Sequence, residues 1–464
     1  MRKFKFLTLF LLLTFSLTGC FEKREVEDLA YVIAIGLDKG TSEDTVAISF
    51  QLAVPIKIAG EGSTGSGKES TSLITLETDT ISNAVSRADT MISKEITLSH
   101  NKIIVFSEEL AKEGINYYLS ALVTNREIRP KTSVIVHKGT AKDFLSNLEP
   151  VLETNPARYY DLVLDSSEYT GYATDNSLFH FYLSVRDEFS SPFAVLTESI
   201  QDENSSTFTE SKQNPNLKTN SHEPTPQENS ADNRQAQVGD ASNENTQLQT
   251  GESSEQSKSE SSSDNPKQSS QENENSSSEN NLPKTANIAG IAIFKSGKLV
   301  GEIRNEQIIS QLMLQDNLKK VNIDIEDITD SKKTSVIKLV QQDSPKIKVE
   351  IENNKPKIDI QIKLNCQLIT SGSAVSYNEK ENRKKLEQNI QKKLKEDMNA
   401  YLQTITKELK ADPVGFGKYC RLNVTTLEQL SKIKWEEIFP SSNFNVQFKL
   451  HLDTTQMVSN EQRK

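Results

Sequence analysis

Cys20 is the residue whose neighbours spell out a reaction. It follows Leu17, Thr18 and Gly19 at the end of an apolar run from Phe6 to Leu17, and that run follows Arg2, Lys3 and Lys5. A basic start, an apolar core of about a dozen residues and small residues before a cut are what export machinery reads. The run is too short for the ~20 residues of a membrane span. The expected chemistry is cleavage before Cys20 and transfer of diacylglycerol to its thiol, with residues 1–19 discarded as a lipoprotein signal peptide. Two acyl chains, at ~0.8 kcal/mol for each buried CH2, suffice to tether the mature chain outside the cytoplasm. The blander reading is an ordinary cleaved signal with an incidental cysteine.

The other reactive residue types form no second constellation. Cys366 and Cys420 are the remaining cysteines, without metal-ligand spacing. A single bridge between them is open to an exported chain, but Cys366 falls on the apolar side of a strand, which suits a buried thiol. His100, His137, His180, His222 and His451 are scattered, none within five residues of another. His100 follows Ser99 at the start of an expected strand and reads as a structural, hydrogen-bonded histidine. The stretch Gly62, Gly67, Lys68 imitates a phosphate loop, but Glu69 replaces the hydroxyl that would hold magnesium and opposes phosphate. No G-x-S-x-G elbow occurs. The expected set is therefore Cys20 for lipid, no catalytic group, no metal, no cofactor and no nucleotide.

Charge narrows the partners. The chain carries −11, yet residues 201–280 hold 15 Asp and Glu against 5 Lys and Arg, which leaves about −1 for everything else. Nothing in that balance attracts a nucleic acid. Within the tract only Phe208, Leu217, Val238 and Leu248 are large and apolar, too little to offset ordering entropy, so residues 201–283 read as a disordered acidic insertion.

Elements that could position function lie on either side of it. Before the tract, Tyr31–Leu37 reads as a buried strand and Val46–Leu52 as a second. A flexible loop is expected over Gly60–Gly67 and a helical stripe over Thr80–Ile92. Lys102–Phe106 and Thr132–His137 are further strands, Glu108–Val123 reads as one helix, and Thr140 with Asp143 caps a short helix to Leu148. After it, Ile288–Phe294 and Leu299–Ile303 read as a hairpin around Ser296, Gly297 and Lys298. Every even position from Ile358 to Leu368 is apolar, as is every even position from Phe444 to Leu452. Those are two long strands with one dry face each. Between them Leu386, Ile390, Leu394, Met398, Leu402, Ile405 and Leu409 trace a long helix that Pro413 ends.

The expected fold is α+β, a mixed α/β arrangement. An N-terminal α/β region over 20–200, in one or two domains, resumes after the insertion at 284–335. A C-terminal α+β domain over 336–464 places a mixed or antiparallel sheet under the long amphipathic helix.

Cys20 to Lys39 (CFEKREVEDLAYVIAIGLDK) resembles the opening of the C subunits of spore germinant receptors, lipoproteins of endospore-forming bacteria, with Arg24, Glu25, Glu27, Asp28, Leu29, Ala30, Gly36 and Asp38 in matching places. A second block runs from Ser99 and His100 through Val105, Glu108, Glu109, Leu110, Ala111 and Gly114 to Glu127, Ile128 and Arg129. Later blocks are Gly290–Phe294 with Gly301 and Glu302, then Asp412, Gly415, Phe416 and Gly417 followed by Trp435. Phe21 stands where the family more often has Trp, Thr124 and Asn125 where it has Arg-Asp, and the acidic insertion is unlike most relatives. The resemblance implies a three-domain lipoprotein on the outer face of the spore's inner membrane. It also implies two integral membrane partners, the A and B type receptor subunits, and a non-enzymatic part in nutrient-triggered germination. A solute-binding lipoprotein feeding a transporter, and a cell-wall hydrolase, are the rival readings.

Overall fold

In the computed structural model the described residues are 25–199 and 286–453, apart from 43, 55–70, 149–152, 154, 166–176, 374, 378, 422, 423 and 425. Cys20, the signal peptide, the Gly60–Gly67 loop and the acidic insertion lie outside them.

The first sheet begins with β1 (Leu29–Lys39), β2 (Val46–Ala53) and β3 (Thr71–Thr78), an antiparallel meander. Helix α1 (Ile81–Asp89) follows, with the Thr80 hydroxyl accepting from Asn83 N as its cap. Short β4 (Glu95–Thr97) and then β5 (Ile103–Ser107) both pair in parallel with β1. Next come α2 (Glu108–Glu113) and α3 (Asn116–Thr124), where the periodicity predicts one helix. Gly114 at φ +132° breaks it, because the chain there turns so that Ile115 N can donate to Gly297 O. Then follow β6 (Ser133–Lys138), α4 (Ala141–Asn147), α5 (Pro156–Asp165), α6 (Leu178–Val185) and β7 (Phe193–Ser199). The hairpin β8 (Ala286–Lys295) and β9 (Lys298–Ile303) closes the far edge. The order is β3-β2-β1-β5-β6-β7-β8-β9, with β4 beside the start of β1.

Both faces of this sheet are covered, which is why β1 is apolar almost throughout. Ile81, Ala84, Leu110, Leu119, Leu122 and Phe181 bring α1, α2, α3 and α6 onto one face. Phe144, Leu145, Tyr160 and Leu164 bring α4 and α5 onto the other. Alternation along β1 serves both cores, Val32, Ile35 and Leu37 facing the first and Ile33 and Ala34 the second, with the register against β2 shifting between Val32 and Ala34.

The second sheet starts after α7 (Glu306–Leu314), a helix buried continuously from Ile308 to Leu314. Its strands are β10 (Lys320–Glu326), β11 (Thr334–Gln341), β12 (Lys346–Glu352), β13 (Lys355–Thr370) and β14 (Asn443–Asp453). It is mixed: β10, β11, β12 and β13 pair antiparallel, while β14 runs parallel to β13. Helix α8 (Lys380–Gln403) lies on its apolar face through Leu386, Ile390, Leu394, Met398 and Leu402. The helix widens into a π turn over Thr404–Glu408 and stops before Pro413. Short helices α9 (Phe416–Arg421), α10 (Leu427–Ser431) and α11 (Trp435–Ile438) lead into β14. Ile291, Ile293 and Ile303 of the hairpin β8–β9 share one apolar cluster with this sheet and α8, so the described residues form one compact unit.

Candidate functional site

Several of the residues that resemble the receptor subunits gather at packing junctions. At the first, Gly36 and Asp38 sit near the end of β1. A Cβ on Gly36 would stand 3.0 Å from Leu145 Cδ1 and 3.1 Å from Ala141 Cβ, so the glycine lets α4 lie close against the strand. The buried Asp38 carboxylate then accepts from Ala141 N at 2.6 Å and Lys142 N at 2.9 Å, two of the donors that a helix start leaves without partners. Burial raises its pKa against the pull of those donors. The Thr140 hydroxyl accepts from Asp143 N at 2.9 Å in the same turn.

At the second, the Glu127 carboxylate accepts from Leu98 N at 2.7 Å and so fixes the loop before β6 onto the loop after β4. His100 hydrogen-bonds Ser99 Oγ through Nδ1 at 3.0 Å and stands edge-on to Tyr31. His137 is buried in β6, with Nδ1 3.0 Å from Thr197 Oγ1 and Nε2 3.2 Å from Ser199 Oγ. Burial holds its pKa down at about 4, so the ring is neutral near pH 7. Its ring nitrogens face two hydroxyls, where a serine triad would set a carboxylate behind the histidine.

The third junction is built around Asp412, between α8 and α9. Its carboxylate accepts from Gly415 N at 2.8 Å, Gly417 N at 3.0 Å and the Trp435 indole N–H at 2.9 Å. Its own backbone pairs reciprocally with Ser191, which donates N–H to Asp412 O at 2.8 Å and accepts from Asp412 N through Oγ at 2.9 Å. Burial raises the Asp412 pKa to about 6 in spite of these donors. Gly415 takes φ +79°, and a Cβ on Gly417 would lie 2.5 Å from Phe189 O. The nearby cations turn elsewhere: Lys418 and Arg421 face Asp187, and Lys295 faces Glu436. A buried carboxylate with neutral donors thus ties the segment before β7 to the C-terminal helices. Ser191 and Phe189 carry no local sequence signal for this role; only the fold reveals it.

A fourth set, Lys138, Glu198, Glu302 and Arg304, forms a half-buried ion network at the ends of β6, β7 and β9. Gly301 of the same block leaves room for Leu409. Cys366 and Cys420 are free and buried, and burial pushes the Cys366 thiol up to about 12. Among the described residues no group of three or more His, Cys, Asp or Glu is placed to hold a metal, and no helix is long and apolar enough to cross a membrane. The expected lipid acceptor, Cys20, lies outside the described residues.

Two family models match in sequence order: the spore germination protein N-terminal domain over residues 22–198, and the spore germination B3/GerAC-like C-terminal domain over 289–456. The chain belongs to the spore germination protein family. The junctions around Asp38 and Glu127 fall inside the N-terminal match, and that around Asp412 falls inside the C-terminal one. Among individual relatives, spore germination protein KC of Bacillus subtilis (strain 168) is 31% identical over 171 residues, which are 36% of this chain and 42% of that protein. The chain therefore spans less than half of that relative. The putative spore germination protein YfkR of the same organism is 22% identical over 445 residues, 94% of this chain and 92% of that one. A crystal structure of the GerBC protein is similar with a TM-score of 0.47 and 14% identity, covering 90% of this chain and 96% of that one.

Proposed function

We propose that the chain is a lipid-anchored, non-enzymatic subunit of a spore nutrient germinant receptor. The observation that carries this reading is the pair of germination-domain matches, in order, over residues 22–198 and 289–456. The export signal ending at Cys20 adds the tether: diacylglycerol on that thiol would hold the protein on the outer face of the spore's inner membrane, or of the cell membrane before that. Confinement to a membrane raises the effective concentration of embedded partners, so weak contacts with two integral subunits of the A and B type suffice for assembly. The polar groups at the junctions support a role played by surfaces. Asp38, Glu127 and Asp412 spend their carboxylates on backbone and indole N–H groups of the chain itself.

Isolation of the tagged chain from detergent-extracted spore membranes tests the reading. Two multi-pass membrane proteins should accompany it. Recovery with a transport permease instead, together with tight saturable binding of one small solute in calorimetry, would favour the solute-binding rival.

A further inference from the structure

We infer that the loop between α3 and β6 is a contact surface for an anionic lipid bilayer; this rests on the tether proposed at Cys20. Five peptide steps separate Cys20 from Glu25, the first described residue, and fully extended they span at most ~18 Å. An acylated Cys20 therefore keeps the start of β1 close to the bilayer. Around that start the chain is knit together: Leu29, Ala30 and Tyr31 pair with Glu95, Ile96 and Thr97, and Lys94 Nζ donates to Glu27 O at 2.7 Å. Leu98, one residue on, receives the Glu127 carboxylate. The loop 125–132 thus lies at the same rim as the tether.

Its charges are sorted. The loop holds one carboxylate, Glu127, and that group is turned inward onto Leu98 N. Arg126, Arg129 and Lys131 are exposed and make no ion pair among the described residues. Ile128 is the loop's buried anchor at 5% exposure, so the three cations project from a fixed base. Beside them Phe179 of α6 donates its N–H to Pro130 O at 3.2 Å and is itself 44% exposed. Cations that make no ion pair among the described residues, next to an exposed aromatic side chain, suit the headgroup layer, where charge meets anionic lipid and the ring enters the boundary. Glu27, Asp28 and Glu95 are exposed on the β1 side of the rim, so the attraction is confined to the loop.

The test uses the mature chain with Cys20→Ser, which removes the acyl group, in flotation with vesicles of phosphatidylcholine alone or with phosphatidylglycerol added. Binding should appear only with the anionic vesicles and fade as salt rises. The triple variant Arg126→Gln, Arg129→Gln, Lys131→Gln should bind about tenfold more weakly with an unchanged thermal melt. Equal binding to both vesicle types, no binding to either, or undiminished binding by the triple variant would overturn the inference. Acylation of the natural chain, read separately by intact mass, distinguishes this failure from failure of the tether.

Discussion

Trp435 donates its indole N–H to the Asp412 carboxylate at 2.9 Å, across 23 residues of chain and in full burial. The bond joins α11 to the turn before α9, and through Ser191 both are tied to the segment leading into β7. Trp435→Phe keeps most of the ring packing and removes the donor. Hydrogen bonds to charged groups contribute roughly 1.5–3 kcal/mol, so urea unfolding should show a loss of about 2 kcal/mol. With Asp412→Asn as background the same substitution should cost less than half of that.

Two buried groups give the stability of the fold opposite slopes with pH. Asp412, raised to about 6, holds its proton more tightly in the folded chain. Its contribution is full below the ordinary carboxylate value and is lost as pH rises through about 6. His137, lowered to about 4, contributes above its ordinary value and loses that contribution as pH falls through about 4. Asp412→Asn removes the first slope alone. Denaturant midpoints should therefore show Asp412→Asn to be more damaging near pH 4.5 than near pH 7, while His137→Gln shows the reverse order.

The glycines at the junctions should rank by what a methyl group would strike. On Gly417 it meets the backbone carbonyl of Phe189 at 2.5 Å, which cannot swing away; on Gly36 it meets side-chain atoms at a looser distance, the tip of Leu145 at 3.0 Å and the Ala141 methyl at 3.1 Å. Overpacking costs typically 1–3 kcal/mol. Gly417→Ala should lie at or above the top of that range and Gly36→Ala near the bottom. Equal losses in thermal melts would argue against the close approach of α9 to Phe189.

Asp38→Ala strips two N–H groups at the start of α4 of their acceptor. Loss of a helix cap costs about 0.5–2 kcal/mol. The expected signature is local: faster amide exchange at Ala141 and Lys142, with the amide of Asp143 still protected by the Thr140 hydroxyl.

The parts of the fold legible in the sequence are those in which one periodicity runs far enough to exclude the other. In β13 Ile358, Ile360, Ile362, Leu364, Cys366 and Leu368 are all buried, and α8 buries its stripe at Leu386, Ile390, Leu394, Met398 and Leu402. Strand β10 alternates as cleanly, with Val321, Ile323 and Ile325 buried, but seven residues between charged neighbours make a weaker pattern. The break at Gly114 was hidden because α2 and α3 carry helical residues on both sides, and the cause, the carbonyl of Gly297, is remote in sequence. The junctions were legible as motifs and illegible as contacts. Asp412, Gly415, Gly417 and Trp435 could be picked out together, yet their partner Ser191 is a serine in a loop 221 residues away. Parallel pairing of β14 with β13 likewise depends on where α8 returns the chain, which alternation does not encode.

Intact-mass analysis of the chain recovered from spore membranes tests the proposed covalent tether most directly. It should begin at Cys20, lack residues 1–19 and carry the added mass of a diacylglycerol on the thiol. A chain that keeps residues 1–19, or one that starts at Cys20 with a free thiol and washes from the membrane with salt, would contradict it.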